Sequence, residues 1–202
     1  MPDNTPKRIH AVVIPRGDPK GFPGRNFRVV FGRPVVAWVF DALKQARRVS
    51  GVFVSTNDDK IAGIAREAGC DTIPRPSEID DDRASRVEIV RRAVTWLHSE
   101  RSSDTDIVIA VRASIPELRS IEIDDAIEFL ERNKLREVIS VGPNNVQNDH
   151  FRMIGRHALF GTPLSSRIGV VRTEHIDVRS PEDVAALLSR YENLERFDAF
   201  RA

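Results

Sequence analysis

Short apolar, β-rich runs alternate with amphipathic helical stretches along almost the whole chain, and this alternation limits the folds open to it. Ile9 to Ile14 reads as a first strand. Pro34 suits a helix first turn, and Val35, Val36, Val39, Phe40 and Leu43 then recur at helical spacing. Val52 to Thr56 reads as a second strand. Asp59 to Ala68 follows as a helix, with Ile61, Ile64, Ala65 and Ala68 on one face and Gly69 as its C-terminal cap. Cys70 to Ile73 is a third strand. Ala84 to Ser99 carries Val87, Val90, Val94 and Leu97 on one stripe with Arg91 and Arg92 opposite. Strands follow at Asp106 to Val111, Glu137 to Val141, Gly169 to Arg172 and His175 to Val178, with a helix at Ile121 to Asn133. Ser180-Pro181-Glu182-Asp183 opens the last helix, with an N-cap serine, proline at the first position and acids in the first turn. The order predicts an α/β fold: a mostly parallel sheet with helices on both faces. Gly142 to Arg167 lacks periodicity and reads as a long irregular connection.

A chain of 202 residues is long enough for one domain with a sizeable core. Residues 9–202 are assigned to it, and residues 1–8 to a disordered tail. The formal net charge of +1 gives no global field favouring nucleic acid or a membrane surface. One cysteine, Cys70, excludes an internal disulfide framework and a multi-cysteine metal site. It lacks an evident basic neighbour, so it reads as a buried structural thiol. No run approaches the roughly 18 apolar residues of a membrane span. Met1 to Arg8 has no signal-peptide apolar core. A cytoplasmic location is expected.

Chemistry is concentrated just after the first strand. Val13 to Phe27 packs glycines and prolines among the cations Arg16, Lys20 and Arg25. A Gly-rich turn at a strand's carboxyl end can bring backbone N–H groups to phosphate oxygens, and the cations supply countercharge. Composition leaves two readings open, a polyphosphate-binding loop and an ordinary basic surface loop.

The run Ile14-Pro15-Arg16-Gly17-Asp18-Pro19-Lys20-Gly21-Phe22-Pro23-Gly24-Arg25-Asn26-Phe27 resembles the loop I-P-A-R-G-G-S-K-G-I-P-x-K-N-L of the CTP-dependent sugar-acid cytidylyltransferases, the CMP-sialate and CMP-ketodeoxyoctonate synthetases. It is one residue shorter between proline and lysine. The resemblance implies a Rossmann-like nucleotide-diphospho-sugar transferase fold. It also implies that Arg16, Lys20 and Arg25 act on the triphosphate in catalysis, with Gly17 and Asn26 binding the nucleotide. Val54-Ser55-Thr56-Asn57-Asp58-Asp59-Lys60-Ile61-Ala62 is similar to a second signature, V-S-T-D-D-x-x-I-A, though Ser, Thr, Asn and Asp also cap helices unaided. Arg75-Pro76-Ser77-Glu78-Ile79-Asp80-Asp81-Asp82-Arg83-Ala84-Ser85 resembles R-P-x-E-L-A-x-D-x-A-S. By position it assigns Arg75, Asp82 and Ser85 to the nucleotide, while acids at a helix start are also explained by the helix dipole.

Two further blocks depart from the family. Where it has L-Q-P-T-S-P-L-R, this chain has Val111-Arg112-Ala113-Ser114-Ile115-Pro116-Glu117-Leu118-Arg119, with arginine for glutamine and Glu117 as an apparent insertion. Arg112 and Ser114 carry over as substrate-binding residues. Where it has I-D-I-D-S-P-E-D-L, this chain has Ile176-Asp177-Val178-Arg179-Ser180-Pro181-Glu182-Asp183-Val184. Acids at i and i+2 of a strand share a face and suit Mg²⁺ beside phosphate oxygens. Here Asp177 is the remaining candidate metal ligand, and Arg179 either weakens Mg²⁺ binding or replaces the ion. The interval that carries a dimerisation arm in the family is short. The implied activity is transfer of CMP from CTP to an acidic sugar or related acid, with release of pyrophosphate and room for a homodimer. Two rivals remain open: a non-catalytic homologue that binds a nucleotide or a partner protein, and a nucleotide-sugar glycosyltransferase, which would want a paired acidic metal site.

Overall fold

The apolar run Ile9–Ile14 becomes strand β1, and the sheet grows from it in both directions. A computed structural model describes residues 6–15, 22–76, 85–161 and 167–201. After β1 come a 3-10 turn (Arg25–Phe27), β2 (Val29–Val30), β3 (Arg33–Pro34), α1 (Val35–Gln45), β4 (Gly51–Thr56), α2 (Asp59–Glu67) and β5 (Asp71–Pro74). The second half holds α3 (Arg86–Arg101), β6 (Ile107–Arg112), α4 (Ser120–Arg132), β7 (Glu137–Val141), β8 (Gln147–Gly155), α5 (Arg156–Phe160), β9 (Ile168–Arg172), α6 (Pro181–Tyr191) and α7 (Leu194–Arg201). Seven strands form one sheet in the order β5-β4-β1-β6-β8-β7-β9. Within this sheet every pairing is parallel except those that β8 makes with β6 and β7; β2 and β3 form a separate antiparallel pair.

Both faces of the sheet are covered, which is why its central strands read as near-continuous apolar runs. Ala11 and Val13 point to one side and pack with Val39, Phe40, Ile61 and Ile127 of α1, α2 and α4. Val12, between them, points to the other side and packs with Val90, Val94 and Leu97 of α3. A third cluster joins Val30, Trp38, Val178, Leu187, Tyr191 and Phe197, seating α6 and α7 beyond the first layer. Cys70 is buried in the first core, and burial pushes its thiol up to about 11, as befits a structural residue. No helix among the described residues is long and apolar enough to cross a membrane.

Three expectations are corrected. Residues 142–167 are not one irregular connection: they contain β8, inserted between β6 and β7, and the short α5. Residues 175–178 form no strand; 173–179 run as coil, because their backbone leaves the ladder after Thr173 N bonds Val141 O. Pro34 stands at the N-cap of α1 rather than inside its first turn. Gly69 does close α2, at a left-handed φ of 69°.

The turn that feeds β4 hangs on one buried carboxylate. Asp124 of α4 accepts from the backbone N–H groups of Arg47 and Arg48, each at 3.0 Å. Asp124→Ala strands both donors and is expected to cost about 1–3 kcal/mol. Urea denaturation measures it; an unshifted midpoint would show that this carboxylate does not hold the turn.

Candidate active site

Strand order reverses at β1, because β4 and β5 lie on one side and β6 on the other. In sheets of this kind the crevice beyond the strand carboxyl ends at such a switch takes ligands. Two arginines flank it. Arg75, just past β5, is buried and donates from Nη2 to Pro15 O at 2.8 Å, which fixes the root of the first loop. Arg112 ends β6, in register beside Ile14.

Arg112 belongs to a cluster built around Asp177. Its Nη1 lies 3.2 Å from Asp177 Oδ2, and Arg179 Nε donates to the same oxygen at 2.7 Å. Ser114 Oγ donates to Asp177 Oδ1 at 2.5 Å, while Ser114 O accepts from Val178 N at 2.8 Å. Burial acts to raise the Asp177 pKa, but the Arg112 charge and the Ser114 and Arg179 bonds win, and it falls below the usual carboxylate range. Asp149, at the start of antiparallel β8, joins the group. Its carboxylate lies 3.8 Å from Arg112 Nη2, and its backbone O accepts from Arg86 Nη1 at 2.8 Å.

Beside this cluster opens a cavity of about 890 Å³ lined by Asn148, His150, Arg172, Thr173, His175 and Arg190 among others. His150 and His175 stack with ring centroids 5.8 Å apart. His150 Nδ1 lies 2.9 Å from Thr173 Oγ1, and His175 Nε2 lies 3.0 Å from Glu122 Oε2. Burial, then the His175 charge, pushes His150 down to about 4. Burial alone would raise Glu122, but the bonds and charge of His175 and the bonds of Arg119 hold it at about 2. Glu117 has no exposed surface. It accepts from Ile176 N, from Arg190 Nη1 at 2.8 Å and from Tyr191 Oη at 2.5 Å. The residue that looked like an insertion is thus the anchor of the coil carrying Asp177.

A family model described as cytidylyltransferase matches residues 11–157. The chain belongs to the cytidylyltransferase family. The N-acylneuraminate cytidylyltransferase of Oncorhynchus mykiss is 28% identical over 146 residues, covering 72% of this chain and 32% of that protein. A 3-deoxy-manno-octulosonate cytidylyltransferase of Geobacter sulfurreducens is 30% identical over 127 residues, covering 62% of this chain and 46% of that one. The chain therefore spans about a third of the length of the first of these relatives. Among solved structures, a CMP:2-keto-3-deoxy-manno-octonic acid synthetase complexed with CTP superposes with a TM-score of 0.68 at 16% identity, over 90% of this chain and 98% of that one. Rv0371c of Mycobacterium tuberculosis, in complex with manganese, gives 0.62 at 14% identity, over 91% and 99%. At those identities the likeness shows the fold, a Rossmann-like α/β sheet of the nucleotide-diphospho-sugar transferase type.

In this cytidylyltransferase-family chain, the structure brings Arg112, Ser114 and Asp177 into one cluster, where the motifs had divided them between substrate and metal. Arg25 and Asn26 sit in the 3-10 turn that ends the first loop, Asn26 buried, with Gly24 before them at a left-handed φ of 68°. Ser85 is exposed, and its Oγ caps α3 by accepting from Glu88 N at 3.3 Å. In the second signature Asp58 caps α2, accepting from Lys60 N and Ile61 N. Arg16, Gly17, Lys20 and Asp82 lie outside the described residues. Sequence reasoning missed Asp149, Arg86 and the stacking of His150 on His175; it marked Glu117 only as an insertion, and His150 only as one of several basic residues open to an acidic substrate or to solvent. Asp149 and His150 arrive on β8, whose polar start shows no pattern in the sequence, while Arg86 comes from α3, Glu117 from the segment after β6 and His175 from the 173–179 coil.

A resident divalent ion does not fit Asp177 as it stands. Oδ1 is taken by a hydroxyl and Oδ2 by two guanidinium groups. Among the described residues no group of three acids, histidines or cysteines could hold a metal.

The buried imidazole sets a pH dependence. The unfolded chain takes up a proton near pH 6.5, which His150 in place accepts only near pH 4. More protons are then bound unfolded than folded, so stability is full above pH 6.5 and falls as pH drops toward 4. His150→Gln should flatten that slope by up to about 1.4 kcal/mol per pH unit. Denaturant titrations at several pH values read it, and equal slopes for the two proteins would overturn the assignment.

Proposed function

We propose that this chain binds CTP across the carboxyl ends of β1 and β6 and transfers CMP to a hydroxyl of an acidic sugar or a related acid. The observation that carries the reading is the family match over residues 11–157. It is supported by the position of Arg112 in register with the end of β1, beside the loop root that Arg75 holds. The acceptor oxygen attacks the α-phosphorus, its bond to the β-phosphate oxygen breaks, and pyrophosphate leaves. The acceptor supplies the nucleophile, so no protein nucleophile is required. Arg16, Lys20 and Arg25 carry the charge that grows on the departing pyrophosphate. The backbone of Gly17 with Asn26, Arg75, Asp82 and Ser85 positions the nucleotide. The resemblance assigns Arg112 and Ser114 to the acceptor's side of the site; as both are bonded to Asp177, Ser114 acts by holding that carboxylate and Arg112 supplies positive charge at this corner. Mg²⁺, where bound, would neutralise charge on the triphosphate, but Asp177 in its ion-paired state does not offer it a ligand.

Residues 142–167 are spent largely on β8 and α5. A homodimer of this chain is accordingly built without an arm that closes a partner's pocket. The ion-paired state of Asp177 favours a second reading, nucleotide binding without transfer.

Thermal shift with CTP, UTP, ATP and GTP tests the first half of the proposal. CTP is expected to stabilise the chain, by about 2.7 kcal/mol at a concentration a hundred times its Kd. Arg16→Ala should abolish the shift and leave the unliganded Tm in place. Pyrophosphate release with a 2-keto-3-deoxy sugar acid tests the second half. Stabilisation without release supports binding alone; failure of all four nucleotides removes both readings.

A further inference from the structure

The three groups on Asp177 leave its carboxylate with no open direction toward the crevice. Its side chain is 8% exposed, and its oxygens meet Ser114, Arg112 and Arg179 within 2.5–3.2 Å. A divalent ion binds carboxylate oxygen at about 2.1 Å and would have to displace or sit against both guanidinium charges. Around this carboxylate, Arg86 donates to the backbone O of Asp149, and the Asp149 carboxylate lies 3.8 Å from Arg112. Arg179 differs from Arg112 in exposure. Its side chain is 58% exposed and bonds Asp177 through Nε, so among the described residues its two terminal nitrogens make no hydrogen bond. Planar guanidinium N–H pairs match phosphate oxygens in a two-point contact.

We propose that Arg112 and Arg179, clasped on Asp177, occupy the place and charge role of a divalent cation, so that the site takes a nucleoside triphosphate as its metal-free anion. Asp177 is then a positioning residue for two guanidinium groups and not a metal ligand. The proposal rests on the nucleotide reading above for its ligand, but the clasp itself can be tested without one.

Mn²⁺ titration followed by electron paramagnetic resonance provides that separate test. The wild-type chain is expected to show no Mn²⁺ site that Asp177→Asn removes. Arg179→Asp should create one, and the double change with Asp177→Asn should abolish it. A wild-type Mn²⁺ site lost in Asp177→Asn overturns the proposal. CTP titration by calorimetry supplies the second arm. In EDTA the wild-type Kd should lie within about twofold of its value in excess Mg²⁺, while Arg179→Asp should bind about tenfold more tightly with Mg²⁺ than without. Wild-type binding that tightens tenfold or more with Mg²⁺ overturns the proposal. Absence of CTP binding in both buffers defeats the nucleotide reading, and the Mn²⁺ result still decides the clasp. If Arg179→Asp does not fold, as judged by circular dichroism, Arg179→Ala replaces it: a loss of CTP affinity in EDTA of about tenfold supports the clasp, and unchanged affinity sinks it.

Discussion

Everything at the candidate site depends on β1 being hydrogen-bonded on both edges. Its partners leave in opposite directions, β4 toward one margin of the sheet and β6 toward the other. The chain must therefore open at the carboxyl end of β1, since the connections on the two sides run to different places. Parallel strands bring all their carboxyl ends to that rim. Arg75, Pro15 and Arg112 come from three strands far apart in sequence, and meet there because the register leaves them no alternative. Burial of both faces then makes the register hard to slip, as a one-residue shift would exchange Val12 with Ala11 and Val13 between two different cores.

The parallel half of this arrangement was legible from residues alone. Apolar runs of β-branched residues separated by amphipathic helices specify strand, helix and layer with little ambiguity, and Gly69 and Ser180 marked helix ends by their own chemistry. The second half was less legible. The β8 strand carries Asn148, Asp149 and His150 in its first half, and Asp149 has a left-handed φ of 58°. Such a strand has no alternation to read, since its polar start is at the functional rim and only its later residues enter the core. Coil 173–179 misled for the opposite reason: the alternation of His175 to Val178 looks like a strand, yet a side chain, Glu117, holds it in place.

Site residues were legible as a set more than as roles. The arginine at position 112 and the arginine at position 179 stood out as departures from a pattern, one at the end of a strand and one in coil. Their meeting on a single carboxylate is a tertiary fact. Arg179 lies two residues from Asp177, a spacing the sequence shows, but no spacing connects Arg112 to a carboxylate 65 positions away, and that salt bridge has no local signature. The resemblance gave the region; the charge arrangement within it came from geometry.

The segment around Asp177 makes no ladder bonds, and its seat is defined by the buried Glu117 and by the backbone of Ser114. Arg179, whose side chain is largely exposed, is consequently the member of this corner whose charge can change at least cost to the sheet, whereas Asp177 stays tied to Arg112 at the end of β6 and to Ser114. A lineage, or an engineer, could alter the electrostatic character of this corner in single steps without passing through misfolded intermediates. Evolvability of the chemistry is thus stored in a piece of coil, and conservation of the fold is stored elsewhere.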